Sequence, residues 1–314
     1  MVALGGGHGL SATLRALRDV ADPLTAVVTV ADDGGSSGRL RDEFGVLPPG
    51  DLRMALAALC GSDEWGNTWS EVAQHRFAGD GALNGHAVGN LLIVALWELF
   101  PDDPVTGLDW VGRLLGCRGR VLPMAATPLE IVAQVSGLVA DDPDRRCEVR
   151  GQVAVALTPG RVEAVRLEPA DPPVPPEVVA AVMDADWVVL GPGSWYTSVI
   201  PHLLVGPVAE AIVTTSARRA VVLNLEPQPG ETAGFAAQTY LEVLHRHAPR
   251  LRLDAVIVDR ASVTDPDALD QAAAAYGAEV VVGDLRLADG SARHDDAALA
   301  ATFQATFGTL GGAR

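Results

Sequence analysis

At 314 residues, the chain is long enough for one large α/β domain or two smaller ones, and its 48% apolar and 20% charged residues are typical of a soluble globular protein. Its formal charge of −17 opposes binding to nucleic acid or anionic lipid, and no run reaches the roughly 18 apolar residues of a membrane span. All 23 cationic side chains are arginines, which excludes a P-loop lysine, a pyridoxal phosphate Schiff base and a lysine nucleophile.

The first predicted elements form a βαβ unit. Residues 2–4 are an apolar strand, residues 5–9 are a glycine loop, and residues 10–20 have leucines at helical spacing. Residues 24–30 are a second apolar strand, so the pattern predicts a parallel sheet with a right-handed crossover. Because Met1 leads directly into the first strand, we expect no secretory signal and a cytoplasmic protein.

Helices follow, and then the character of the chain changes. The segment after Asp51 is strongly helix-forming, and further helices are predicted over residues 65–77, from the 84–90 loop to 100, and over 103–115. Beyond residue 119, apolar runs at 130–135, 152–157 and 161–167 predict strands, and a Thr-Pro-Gly turn separates the last two. We therefore expect a small antiparallel β insertion over residues 119–168.

The α/β pattern resumes after a proline-rich connector. Buried strands are predicted over residues 187–190, 220–225, 254–259 and 279–282, and a closing helix over 295–307. No repeat or clean domain boundary interrupts the chain, so a single domain over residues 1–314 is expected. The predicted fold class is α/β, with a mainly parallel sheet and a small antiparallel layer.

The most informative segment spans residues 28–41, where a β-branched run ends in two carboxylates and a glycine-serine loop. Glycine amides allow close approach of a ligand, and arginine forks match phosphate oxygens. Two adjacent aspartates in an extended segment face opposite ways, so we expect one to face a ligand or metal ion and the other to cap the backbone. The pattern predicts a site for a phosphate-bearing small molecule. Its candidate residues are Asp32, Asp33, Gly34, Gly35, Ser36 and Arg39.

The glycine loop at residues 5–9 follows the first strand, at the edge where open parallel sheets bind ligands. It departs from the dinucleotide pattern, because Leu10 stands at the sixth position and no lone acidic residue ends the second strand. We expect its amides to bind a pyrophosphate or another anion; a plain strand–helix turn and an NAD or FAD site are the alternatives. His8 either donates to a phosphate or packs within the loop. The candidates here are Gly6, Gly7, His8 and Gly9.

Other polar residues lie near predicted helix starts or strand ends. Each has a plain alternative: a helix cap for Asp51, a surface position for Arg53, turn chemistry for the asparagines and a charged helix start for Arg293. Asparagine amides suit sugar hydroxyls or a base edge, and Ser194 lacks the spacing of a nucleophile elbow. These candidates are Asp51, Arg53, Asn84, His86, Asn90, Gly191, Gly193, Ser194, Thr197, Ser198, Asn224, Glu231 and Arg293.

The three cysteines are odd in number and widely spaced. Cys60, Cys117 and Cys147 are interpreted as small apolar residues in a reducing cytoplasm rather than as a disulfide or zinc framework. The seven histidines show no paired zinc spacing. No metal site is therefore assigned, and Mg²⁺ accompanying a bound nucleotide is the one cofactor considered.

Six motifs occur in an order that carries a family resemblance. They are Gly-Gly-Gly-His-Gly at 5–9, Val-Ala-Asp-Asp-Gly-Gly-Ser-Ser-Gly-Arg at 30–39, Leu-Pro-Pro-Gly-Asp-Leu-Arg at 47–53, Gly-His-x-x-Gly-Asn at 85–90, Leu-Gly-Pro-Gly-Ser-Trp-Tyr-Thr-Ser at 190–198 and Pro-Gly-Glu-Thr at 229–232. Over its whole length the chain resembles the gluconeogenesis factor family (YvcK-like) of bacterial cell-shape proteins, and its lysine-free composition resembles an actinobacterial member. The wider superfamily includes 2-phospho-L-lactate transferase.

The resemblance implies a Rossmann-like three-layer α/β/α fold and a cytoplasmic protein that binds UDP-N-acetylglucosamine. It implies regulation of cell shape, morphogenesis and peptidoglycan synthesis during gluconeogenic growth, with no catalytic activity established for that branch. The implied partners are a UDP-sugar, a second copy of the chain in a homo-oligomer, and cell-wall synthesis or signalling proteins. Neither nucleic acid nor membrane insertion is expected.

The resemblance also assigns roles to residues. The first glycine loop and residues 32–39 would line the nucleotide-sugar cleft, and Asn90 with the 191–198 loop would hold phosphate or sugar. Arg293 lies in a stretch implicated in nucleotide-sugar binding. The alternative function is a Mg²⁺-dependent phosphoryl-linked transferase, in which Asp32, Asp33 and Asp51 would be catalytic. A scaffold without a ligand is the third hypothesis.

Overall fold

The computed structural model describes residues 1–311, with side chains described to residue 309. Within that range the strands β1–β10 are Val2–Gly5, Thr25–Val28, Arg120–Pro123, Glu130–Ser136, Cys147–Arg150, Arg161–Glu168, Trp187–Leu190, Arg218–Val222, Ala255–Asp259 and Glu279–Gly283. The helices α1–α13 are Gly7–Leu17, Gly35–Phe44, Pro49–Leu59, Glu64–Gln74, Val88–Leu99, Pro104–Leu115, Gln152–Ala156, Pro176–Met183, Pro201–Leu204, Gly206–Thr214, Ala237–His247, Pro266–Ala274 and Asp296–Gly311. A π-helical turn, Trp195–Val199, and a 3₁₀ turn, Arg260–Ser262, complete the elements described.

Seven strands form one parallel sheet in the order β10-β9-β8-β7-β1-β2-β3. The chain moves outward from β1 in one direction, through β2 and β3, and then from β7 in the other. Right-handed crossovers therefore place helices on both faces of the sheet, which gives three layers. The order reverses between β1 and β7, where a crevice opens at the carboxyl ends of the strands. The predicted Rossmann-like α/β/α fold is confirmed.

The sheet is buried because helices cover both of its faces. Every residue of β1, β7 and β9 is buried, in agreement with their nearly continuous apolar runs. Helix α1 packs against α3 and α13, and α8 packs against α10. Among the described residues, no helix combines the length and the apolar character needed to cross a membrane.

The small sheet is antiparallel, in the order β5-β4-β6, but it differs from the predicted insertion in two ways. Residues 120–123 belong to the main parallel sheet as β3, because their apolar side chains are buried beside β2. Residues 152–157, predicted as a strand, contain the short helix α7 instead. The third strand is β5, after which Gly151 turns the chain at a φ of +93°. The Val153 amide then donates to Asp33 at 3.0 Å.

The glycine-serine segment after Asp33 also differs from the prediction. It was expected to be a loop, but helix α2 begins at Gly35 and directly follows the extended residue Gly34. A Cβ on Gly38 would lie 2.1 Å from the Asp33 carbonyl oxygen, so only glycine lets this first turn fold back on the strand end. Helix α1 likewise begins earlier than predicted, at Gly7, which turns the glycine loop into the first turn of a helix.

Candidate ligand site

A crevice of about 740 Å³ lies at the point where the strand order reverses. Its walls come from the loops after β1, β7 and β8 and from the segment before α13. The volume falls within the roughly 300–1,000 Å³ that small-molecule sites occupy. Five residues predicted from the sequence line it together: His8, Gly9, Gly193, Asn224 and Arg293.

The N-terminus of α1 faces this crevice with its amides uncapped by any local side chain. The residue before the helix, Gly6, is extended and offers no capping group, and the first turn contains no acidic residue. The His8 and Gly9 amides and the positive end of the helix dipole together favour an anion. His8 and Arg293 are both exposed and add donors at the two sides of the crevice.

The walls of the crevice fit closely against each other. A Cβ on Gly9 would lie 2.2 Å from the Pro192 carbonyl oxygen, so α1 meets the loop after β7 with no room for a side chain. The Gly191 carbonyl accepts the Thr13 hydroxyl at 2.8 Å. Asn224 holds Gly193 through two hydrogen bonds of 2.9 Å. These contacts fix the shape of the crevice before any ligand arrives.

A second cluster, centred on Asp51, lies directly behind the first turn of α1. A helix cap was the plain alternative to a site role for Asp51, but Pro48 is the residue that precedes α3 and Asp51 lies inside its first turn. The side chain is buried, and a Cβ on Gly6 would lie 2.4 Å from its Oδ2. Burial and the neighbouring Asp32 charge raise the pKa of Asp51 to about 7, although the Gly7 amide and Arg53 oppose them. Its Oδ2 has no hydrogen-bond partner.

The two adjacent aspartates point in different directions, as expected of neighbours in an extended segment. Asp32 turns towards α3, where a Cβ on Gly50 would lie 2.7 Å from its Oδ2, and burial raises its pKa. The Gly34 amide donates to Asp32 Oδ1 at 3.0 Å. Asp33 turns away to accept the amide of Val153 at 3.0 Å. The Asp32 charge therefore acts on the buried Asp51 carboxyl, while the Asp33 carboxylate is engaged by α7.

A buried chain of hydrogen bonds ties four predicted site residues to each other. Arg53 Nε donates to Asn90 Oδ1 at 2.9 Å, and Asn90 Nδ2 donates to Ser36 Oγ at 3.0 Å. Ser36 Oγ lies 3.0 Å from His86 Nδ1. Burial, followed by the charge of Arg76, lowers the pKa of Arg53 to about 10. These side chains connect α2, α3 and α5 behind the Asp32–Asp51 pair.

The remaining predicted residues divide between the surface and the interior. Gly35 and Arg39 are exposed, and Arg39 donates to the backbone oxygen of Asn84 at 2.7 Å. Ser194 precedes the π-helical turn and is half-buried. Thr197 and Ser198 are buried inside that turn, so the structure places their hydroxyls beneath the crevice rather than in its lining.

Glu231 is buried against the same turn. Burial raises its pKa to about 7, opposed by the amides of Trp195 and Tyr196 and the Thr197 hydroxyl. Neither carboxylate oxygen has a hydrogen bond of normal geometry. Glu231 therefore supports the floor of the loop after β7 and does not line the crevice.

Two residues of the region were missed by the sequence reasoning. Arg15 lines the crevice two turns after His8 on α1 and forms a 2.6 Å ion pair with Asp296. Thr29 packs beside Gly6, where a Cβ would lie 2.5 Å from its Cγ2. The helical spacing of His8 and Arg15 was a usable signal for the first, whereas nothing in the sequence marked Thr29.

The carboxylates behind the crevice are the side chains that could bind Mg²⁺. Across residues 1–311, no group of three or more histidine, cysteine, aspartate or glutamate side chains could hold a metal ion. Mg²⁺ is commonly held by one or two carboxylates together with substrate phosphates. Asp32 and Asp51, with the unpartnered Oδ2 of Asp51, fit that smaller requirement.

Known proteins share both the sequence and the fold. The family model described as "2-phospho-L-lactate transferase CofD" matches residues 1–297. A Mycobacterium tuberculosis protein named "Putative gluconeogenesis factor" is 54% identical over 304 residues, covering 96% of this chain and 88% of that protein. The Bacillus subtilis "Gluconeogenesis factor" is 35% identical over 261 residues, covering 83% of this chain and 78% of that protein.

A solved structure has the same fold. The crystal structure of a UPF0052 family member from Bacillus halodurans superposes with a TM-score of 0.85 at 32% identity, covering 96% of this chain and 98% of that one. Since the family model spans nearly the whole chain and the relatives exceed 30% identity, the chain belongs to the CofD family, among proteins named gluconeogenesis factors.

Proposed function

We propose that this chain is a single-domain, cytoplasmic nucleotide-sugar-binding regulator that takes UDP-N-acetylglucosamine into the crevice between β1 and β7. In this proposal, occupancy of the crevice is signalled to cell-wall synthesis and cell shape during gluconeogenic growth. The observation that supports it most strongly is the uncapped N-terminus of α1, which faces a crevice of about 740 Å³. A diphosphate can accept hydrogen bonds from these amides without a lysine.

The rest of the crevice suits the two ends of such a ligand. Arg293 at the rim supplies a forked donor for phosphate or uracil oxygens. Asn224 already holds Gly193, so the loop after β7 needs little ordering when the ligand binds. The overall charge of −17 repels anions at long range, so affinity depends on these local donors.

Titration calorimetry with UDP-N-acetylglucosamine tests the proposal. We expect saturable binding without turnover and a weaker complex for Arg293→Ala. The matched control is Arg250→Ala. Arg250 is an exposed arginine that forms an ion pair with Glu210. It lies just before β9, at the amino ends of the strands, whereas the crevice lies at their carboxyl ends. Absence of binding, or equal affinity of the two variants for the ligand, would contradict the proposed site.

A second candidate function is a Mg²⁺-dependent transferase of phosphoryl-linked groups. It is supported by the half-buried Asp32 beside the buried Asp51, with one unpartnered oxygen on Asp51 close behind the first turn of α1, and by the family model. In that reaction the two carboxylates would hold Mg²⁺, which neutralises charge on a phosphate. Release of a nucleotide in the presence of Mg²⁺, abolished by chelation and by Asp51→Asn, would favour it over the regulator.

A further inference from the structure

Cys60 and Cys117 lie opposite each other in an isolated antiparallel bridge. Cys60 directly follows α3, and Cys117 lies between α6 and β3. The Arg118 amide donates to the Leu59 carbonyl at 2.8 Å, so the bridging hydrogen bond comes from the residues flanking the cysteines. The cysteines therefore occupy a non-hydrogen-bonded position, where facing Cα atoms lie about 4.5 Å apart. That spacing is inside the roughly 4.4–6.8 Å range of disulfides.

The two thiols also point to the same place. Both donate to the Leu56 carbonyl oxygen, Cys60 from 3.5 Å and Cys117 from 3.3 Å. The two thiols therefore converge on a single acceptor oxygen. A bond between the sulfurs would therefore need side-chain rotation and no movement of the backbone.

Access to the pair is asymmetric. Cys60 is buried, whereas Cys117 is half-buried and lines a surface cavity of about 390 Å³. The adjacent Cys117 side chain and the nearby Arg18 guanidinium lower the pKa of Cys60, and burial opposes them. Arg18 is held in place by donating to the Cys60 carbonyl oxygen at 2.8 Å. An accessible thiol thus adjoins a second thiol that ionises more easily.

We propose that Cys60 and Cys117 form a reversible oxidation site that closes to an intramolecular disulfide by exchange with a low-molecular-weight disulfide. Cys60 first loses its proton to solvent. Cys117 then gives its proton to the Cys60 thiolate, and the Cys117 sulfur attacks one sulfur of the small disulfide, which breaks the S–S bond and releases one thiolate. Cys60 passes that proton on to the released thiolate and attacks the Cys117 sulfur of the mixed disulfide, which releases the second thiolate. The second thiolate takes up one proton from solvent, which replaces the one that Cys60 released. Two electrons pass from the cysteines to the small disulfide.

The bond would act on the part of the molecule that carries the Asp51 cluster. Asp51 and Arg53 lie in the first turns of α3, and Cys60 follows the end of the same helix. The segment enclosed by the bond contains α4, α5 and α6, including Asn90. Oxidation would thus link the end of α3, which carries Arg53, covalently to the end of the segment that carries Asn90, the hydrogen-bond partner of Arg53. In a reducing compartment the thiols stay free, as expected of a sensor rather than a structural bridge.

The experiment uses the full chain and oxidised glutathione as the probe. After incubation, free thiols are alkylated and the protein is digested without reduction, so that mass spectrometry identifies each cysteine. We expect a peptide linked through Cys60 and Cys117, with Cys147 alkylated. Cys147, a half-buried thiol in β5, is the internal control. The oxidised protein should melt about 5 °C higher, because the bond closes a long loop in the unfolded chain.

Variants make the result decisive. Cys147→Ser should leave the linked peptide and the melting shift unchanged, and Cys117→Ser should abolish both. Three alkylated cysteines after treatment, glutathione retained on Cys117, or a bond that includes Cys147 would each overturn the proposal. The wild-type peptide map decides the outcome even if Cys117→Ser folds poorly.

Discussion

Asn224 and Gly193 are joined by two hydrogen bonds in opposite directions. Asn224 Oδ1 accepts the Gly193 amide and Asn224 Nδ2 donates to the Gly193 carbonyl, each at 2.9 Å. Gly193 has a φ of +146°, a conformation that residues with a side chain rarely adopt. The end of β8 thus fixes the loop after β7 in a shape that glycine alone adopts readily, and this loop forms one wall of the crevice.

The Asn224→Asp variant should weaken ligand binding. Its carboxylate still accepts the Gly193 amide but places an acceptor against the Gly193 carbonyl, so the loop loses one hydrogen bond and gains a repulsion. We expect the dissociation constant for UDP-N-acetylglucosamine to rise about tenfold, which corresponds to about 1.4 kcal/mol. Calorimetry measures the effect, and unchanged affinity would show that the loop is held in some other way.

The Gly6→Ala variant should destabilise the protein and abolish ligand binding. The added Cβ would lie 2.4 Å from Asp51 Oδ2 and 2.5 Å from Thr29 Cγ2, so the first turn of α1 must shift. We expect a loss of about 1–3 kcal/mol in the free energy of unfolding, measured by urea denaturation. Gly206→Ala is the matched control, because its Cβ would meet nothing within 4 Å. Equal stability of the two variants would show that Gly6 does not lie as close to Asp51 and Thr29 as the structure places it.

The Asp51→Asn variant should be more stable than the wild type above pH 7. The pKa of Asp51 is about 7 when folded, against 3.8 as its ordinary value. Between these values the folded state binds more protons than the unfolded state, so stability falls as pH rises through the window and stays low above it. The loss amounts to at most about 4 kcal/mol, and asparagine avoids it.

Urea denaturation from pH 4 to pH 8 measures the difference between Asp51→Asn and the wild type. The two proteins should converge near pH 4 and separate towards pH 8. Glu231, also with a pKa of about 7, contributes a loss of the same sign in both, and Glu231→Gln removes that second contribution. A variant that is less stable than the wild type at pH 8 would mean that Asp51 is ionised at little cost.

The Asn90→Ala variant should cost about 1–3 kcal/mol, because it leaves Arg53 Nε unpaired in the interior and removes one of the two hydrogen bonds of Ser36 Oγ. A double-mutant cycle with Ser36→Ala should show coupling above about 0.5 kcal/mol, since the two side chains are in contact. Thr214→Ala is the control, because its hydroxyl donates to the Glu210 carbonyl and to the Met183 sulfur, which lie outside this network. Coupling of Asn90 to Thr214 as large as to Ser36 would argue against a local network.

Much of the fold could be predicted because its signals are local. Apolar runs such as residues 187–190 and 254–259 fall on buried strands, and their alternation with helices indicated a parallel sheet. The errors came where tertiary contacts override local preference. Residues 152–157 look β-forming, yet the chain turns at Gly151 and the new helix meets Asp33. The glycine-serine segment at residues 34–38 looks loop-like, yet helix α2 begins within it because glycine allows the first turn to fold back.

The sequence by itself determined which chemical groups are available: glycine amides beyond strand ends, carboxylates at residues 32 and 51, and arginine as the sole long cation. Tertiary structure alone decided which of them meet. It brought Asp32 within electrostatic reach of Asp51, and it buried Thr197 beneath the crevice. It also brought Cys60 to Cys117 across three helices. The physical reason is that spacing along the chain governs contacts within one helix or strand, whereas contacts between elements depend on strand order and on how side chains pack between the layers.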